Sequence, residues 1–193
     1  MTSGILAALS ETLAVALLEP DADLTEGLGQ LLDSNPGPSF ADALARMHAN
    51  RLGPESQAVE YARLFMHNPE GDVIHLYGSV HAKGHLMAPE VLLPLTEIYD
   101  AADISPQEDL TVPPDHLGLE LACLGYLLEA LDEADGEDRA QWSSLARRLL
   151  REHLDPLTRA VAEQLPQLKP APYYLAAVDL ARALVVEALQ ALD

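Results

Sequence analysis

The chain has 193 residues, 49% of them hydrophobic and only 5% aromatic, and its 31 Asp and Glu against 11 Lys and Arg give a formal net charge of -20. That field repels phosphate backbones and anionic lipid, which excludes nucleic acid and membrane surfaces as partners. One cysteine, Cys123, excludes an internal disulfide, and no uninterrupted apolar run reaches the ~20 residues needed to cross a bilayer.

The length suits one substantial core, so a single domain over residues 1–193 is expected. Leu and Ala dominate the apolar set, which favours helix packing over a sandwich of Val, Ile and Tyr, and the predicted fold class is all-α. The segment Met1 to Glu19 lacks the basic head and cleavage pattern of a signal peptide, so a cytoplasmic protein without stable membrane insertion is expected.

A first helix starts near Ser3, carries Ile5, Leu9, Leu13, Ala16 and Leu17 on one face, and ends at Pro20. A short second helix is predicted from Thr25 to Leu32. Asp33 to Pro38 reads as a turn, and Ser39 with Asp42 resembles a capping box for a third helix through Phe40, Leu44 and Met47. Gly53-Pro54 ends it. A fourth helix from Glu55 places Val59, Ala62 and Phe65 at helical spacing, with Tyr61 and Leu64 flanking them, until Asn68-Pro69.

The stretch from His67 to Pro89 differs in kind. It has four histidines, several glycines and little periodicity, and reads as a loop forming a site wall. Pro94 then places the start of the next helix, through Leu95, Ile98 and Tyr99, near Val91. Asp103 to Val112 reads as an acidic linker.

Pro113-Pro114-Asp115-His116-Leu117 is a rigid entry to an apolar helix through Leu121, Leu124 and Leu128. Asp115 is expected to be its N-cap, with His116 held beside a carboxylate. Asp135-Gly136 is a turn, Arg139 to His153 a further amphipathic helix, and Asp155-Pro156 an N-cap and first-turn proline that restart the chain towards Leu165. After the proline-rich joint Pro166 to Pro172, Tyr173 to Leu192 is apolar on nearly every side and is predicted to be the central helix.

Enzymatic constellations are poorly supported. His81 and His85 stand one helical turn apart, with His67 and His75 nearby, but no HExxH pattern occurs and Gly78 and Gly84 disfavour a helix to hold zinc. Ser79 lacks a nucleophile elbow, and Cys123 falls on an apolar register where a thiol packs as a small hydrophobe. No Gly-rich phosphate loop is present. The expectation is therefore a protein that is not an enzyme and takes no cofactor and no metal.

The residues Glu60-Tyr61-Ala62-Arg63-Leu64-Phe65, Tyr77-Gly78-Ser79-Val80-His81, Tyr99, Pro114-Asp115-His116-Leu117 with Glu120 following, Arg151-Glu152-His153-Leu154 and Tyr173-Tyr174 occur in an order and spacing similar to the redox-enzyme maturation chaperones of the TorD, DmsD and NarJ type. The likeness spans about residues 55–185. The chain departs from many relatives at His75-Leu76-Tyr77, where they carry Pro-Pro-Trp. The resemblance implies an all-helical, cytoplasmic chaperone, monomer or homodimer, that binds the twin-arginine leader, or its remnant, on the apo catalytic subunit of a molybdenum oxidoreductase. Such a chaperone assists cofactor insertion and assembly and prevents premature export. It also implies a peptide-binding region at Tyr61, Leu64, Phe65, Tyr77, Ser79, Asp115 and His116. A leader of arginines followed by an apolar stretch suits carboxylates beside an apolar groove. Two other readings stay open: a helical adaptor that reads a folded protein surface, and a metal-dependent helical enzyme built on the four histidines.

Overall fold

The first helix and the Asp115 helix form the closest-packed pair, and small residues let them approach. In the computed structural model, which describes residues 3–69, 71–105 and 112–192, α1 (Ser3–Leu18) buries Leu6, Leu9, Leu13, Ala16 and Leu17 against α7 (Leu117–Glu133). A Cβ on Gly118 would fall 2.7 Å from Leu18 Cγ, and one on Gly125 would fall 3.2 Å from Glu11 Cγ. Only glycine admits this contact without displacing α1.

α2 (Thr25–Asp33) matches its predicted span, and α3 (Pro38–Ala49) follows Gly37, whose φ of 97° turns the chain into a proline-started helix. The expected capping box does not form. Ser39 lies inside the helix, and its hydroxyl donates instead to Glu187 of the last helix at 2.5 Å.

α4 (Pro54–Tyr61) runs into a wide turn, Ala62–Met66, closed by His67 N–H donating to Ala62 O at 2.8 Å. The face expected from periodicity, through Val59, Ala62 and Phe65, is not the buried one. Packing chooses Gln57, Tyr61, Leu64 and Phe65, while Val59 is 70% exposed. The deciding partners lie far away in sequence: Tyr61 donates its hydroxyl to Leu17 O at 2.8 Å, and Phe65 meets Tyr174 edge-on at 5.6 Å.

The expected His67–Pro89 loop contains a short helix, α5 (Gly78–Lys83), stopped by Gly84 at φ 79°. α6 (Pro89–Ala101) starts two residues earlier than expected, because Pro89 takes the first-turn position and Pro94 is carried inside the helix. Residues 106–111 of the expected acidic linker lie outside the described residues.

α8 (Gly136–Leu149) does not stop before Asp155. It continues through a second wide turn, Leu150–Leu154, directly into α9 (Asp155–Gln164). The backbone at Leu154 is helical, so Asp155 caps nothing, and its carboxylate instead receives Arg182 at 2.5 Å and Arg159 at 2.9 Å. Pro156 sits in the first turn beyond the wide turn, where a missing N–H costs little.

α10 (Pro172–Leu192) buries Tyr173, Tyr174, Val178, Leu180, Leu184 and Val185 against α1, α3, α8 and α9. It is the long core helix expected, with Asp179, Val186 and Gln190 left on an exposed stripe. Among the described residues the fold is helical throughout, a single domain with one isolated β-bridge, Tyr77 to His116.

Candidate functional site

That bridge assembles the motif residues. Leu117 N–H donates to Leu76 O at 2.7 Å and Gly78 N–H donates to Asp115 O at 3.0 Å, which ties the start of α5 to the start of α7. Between these bonds Asp115 Oδ2 accepts the Ser79 N–H at 2.7 Å. The bridge keeps His116 extended, so the helix begins one residue later than expected and Asp115 is not its cap. His116 takes that role: its Nδ1 accepts the Gly118 N–H at 3.1 Å.

This bond settles the histidine's tautomer. With Nδ1 accepting, the proton of the neutral ring lies on Nε2, which makes a long contact of 3.5 Å to Tyr61 Oη. Tyr61 in turn donates to Leu17 O at 2.8 Å. Burial holds the imidazole uncharged, lowering its pKa to about 4 against the opposing pull of Asp115. Tyr77 meets the same ring edge-on at 5.1 Å.

The seven residues expected to bind a peptide are therefore one contiguous group. Leu64 O accepts the Ile74 N–H at 2.8 Å, Phe65 stacks on Tyr61, and the Ser79 hydroxyl accepts the Met87 N–H at 3.1 Å. Their exposure is unequal. Asp115 and Ser79 are fully buried, and Tyr61, Leu64, Phe65 and His116 are core residues. Tyr77 alone of the seven stands partly exposed.

Two buried polar groups stand out that the sequence reading did not single out as a site. Glu120 is fully buried with neither oxygen hydrogen-bonded, and His153 has neither ring nitrogen bonded; Asp115 Oδ1 is likewise without a partner. Burial raises the Glu120 pKa well above the ordinary carboxyl value, and the neighbouring Asp115 raises it further. Burial lowers that of His153. A signal for Glu120 was present in the sequence, since it occupies the same helical register as Leu117 and Leu124.

The other constellations do not assemble. Among the described residues no group of three or more His, Cys, Asp or Glu is placed to hold a metal ion. His81 Nε2 donates to His75 O at 2.6 Å, and His85 Nδ1 donates to Leu86 O at 3.1 Å. Cys123 is buried, and desolvation pushes its thiol up to about 12. A surface depression of about 590 Å³ between α4 and the start of α10 touches none of the motif residues except Glu60 and Arg63, which pair with each other at 2.7 Å. Among the described residues no helix is long and apolar enough to cross a membrane.

A search of curated proteins found no match. A family model described as nitrate reductase delta subunit matches residues 21–163, well over half of the chain, and this range holds the bridge, Tyr61, Asp115, His116, Glu120 and His153. The match reaches further toward the N-terminus than the motifs read from the sequence. The chain belongs to the nitrate reductase delta subunit family, the NarJ- and TorD-type chaperones, which assemble molybdoenzymes and carry out no catalysis themselves.

Proposed function

We propose that this chain is a cytoplasmic chaperone that binds the twin-arginine leader, or its remnant, on the apo catalytic subunit of a nitrate reductase. It holds that subunit until the molybdenum cofactor is inserted and withholds it from export. The observation that carries this reading is the bridged pair of segments around Tyr77 and His116. They bring the seven residues expected to bind a peptide into one group and leave one of its aromatic rings, Tyr77, partly exposed.

In this reading the peptide contacts Tyr77 and its exposed surroundings. Tyr61, Leu64, Phe65, Ser79, Asp115 and His116 act from behind, by fixing where that ring stands. A net charge of -20 draws an arginine-bearing peptide toward the face and makes its capture salt-dependent.

Isothermal titration with a synthetic leader of the catalytic subunit tests this. Binding is expected to weaken with added salt, and Tyr77→Ala is expected to weaken it about tenfold while leaving the thermal midpoint nearly unchanged. If the apo catalytic subunit binds but its leader neither binds nor competes, the protein reads a folded surface and the leader assignment is wrong.

A further inference from the structure

Beside Gly78 the surface opens into a cleft of about 150 Å³ between α5, α6 and the wide turn joining α8 to α9. Gly78, His81, Val91, Glu152, His153 and Leu157 line it. His153 is 5% exposed, with both ring nitrogens unpartnered. Glu120 does not line the cleft but lies close to one of its walls: the point a Cβ on Gly78 would occupy is 3.6 Å from Glu120 Oε1. Glu152 stands half-exposed at the cleft, its contact with Arg148 stretched to 3.7 Å.

These walls hold more acceptors than donors. Leaving a buried acceptor unpaired is costly, so a ligand rich in N–H groups gains most here. The negative surroundings exclude an anion. A guanidinium fits better than an ammonium: it is flat, weakly hydrated and carries five N–H donors in a fixed fork suited to carboxylates. Leu86 and Met87 are exposed apolar residues in the turn that joins α5 to α6, two of the cleft's walls.

We propose that this cleft receives the guanidinium of one leader arginine. Glu152 grips it at the mouth, His153 presents its unpartnered ring from the wall, and Leu86 and Met87 meet the adjoining apolar segment. This assignment rests on the leader-binding reading and adds to it a subsite apart from Tyr77.

Gly78→Ala is the sharpest probe. Gly78 is not among the glycines of positive φ, and every atom near the added methyl stands at 3.6 Å or beyond, so the fold tolerates the change while the methyl takes up space beside Val91 on the cleft wall. Glu152→Gln, on an exposed side chain, is a second probe that carries no folding risk. The full chain is titrated with a synthetic peptide of two adjacent arginines ahead of an apolar segment, and with versions in which each arginine in turn is citrulline, a neutral group of the same shape.

One of the citrulline replacements is expected to weaken binding to the wild type about tenfold or more. Both variants are expected to shrink that ratio toward one. Equal binding of the arginine and citrulline peptides by the wild type, or an unchanged ratio in both variants, overturns the cleft assignment and leaves leader binding standing. Binding of none of these peptides overturns the leader reading and the cleft with it.

Discussion

Asp115 and Ser79, thirty-six residues apart in sequence, are joined by a buried hydrogen bond of 2.7 Å from the Ser79 N–H to Asp115 Oδ2. Together with the bonds on either side of it, this contact turns two loop ends into one rigid junction. Asp115 has no exposed surface, so whatever it does for a ligand it does by holding α5 against α7.

Asp115→Ala is therefore expected to destabilise the fold by about 2–4 kcal/mol, because the Ser79 N–H is left buried without a partner. Asp115→Asn keeps an acceptor oxygen and is expected to cost about half as much. Urea unfolding of the three proteins checks this, and an alanine variant as stable as the wild type would remove the junction from the account.

The neutral His116 makes stability depend on pH. Its folded pKa of about 4 lies below the ordinary 6.5, so the unfolded chain takes up a proton in that window and the folded chain does not. Stability from this group is complete above pH 6.5 and falls as the pH is lowered toward 4, by on the order of 3 kcal/mol. His153, shifted the same way by burial, adds to the loss. Wild type compared with His116→Asn, unfolded by urea at pH 7 and pH 4.5, is expected to show the larger loss on acidification.

Glu120 acts in the opposite direction. Its folded pKa is raised, so its contribution is complete below the ordinary carboxyl value and is lost as the pH climbs through the folded one. Glu120→Gln keeps the shape and removes the ionisation. The variant is expected to equal or exceed the wild type in stability at pH 8, with the difference narrowing at pH 5. A wild type that grows more stable than the variant on the alkaline side would contradict a buried, proton-bearing Glu120.

The α1–α7 crossing gives a prediction about size alone. A Cβ on Gly118 meets Leu18 Cγ at 2.7 Å, and Gly118 also donates its N–H to the His116 cap. Gly118→Ala is expected to cost about 1–3 kcal/mol even though alanine favours helix. Thermal unfolding decides between the two effects, since a rise in the midpoint would show that α1 yields without penalty.

Cys123 is expected to resist a thiol reagent in the native state and to react once the chain is unfolded. Its thiol is buried and its pKa is pushed up to about 12, so almost no thiolate is present at neutral pH. Rapid native labelling would contradict that burial.

The sequence by itself determined the helical class, most helix positions, the burial of Cys123 and the family likeness. These depend on local signals: apolar periodicity, prolines at first turns, and motifs in a fixed order. Tertiary structure decided what each polar residue does. Asp115 reads as a helix cap because an acid follows two prolines before an apolar run, yet the bridge to Tyr77 holds His116 extended and moves the cap one residue on. Val59 and Tyr61 are both apolar enough to face inward, and only contacts with Leu17 and Tyr174 make Tyr61 the buried one. The two wide turns, Ala62–Met66 and Leu150–Leu154, leave no mark in hydrophobic spacing, yet the second places Glu152 and His153 at the cleft beside Gly78. A long-range contact adds its energy only when distant segments meet, so no window of neighbouring residues contains it.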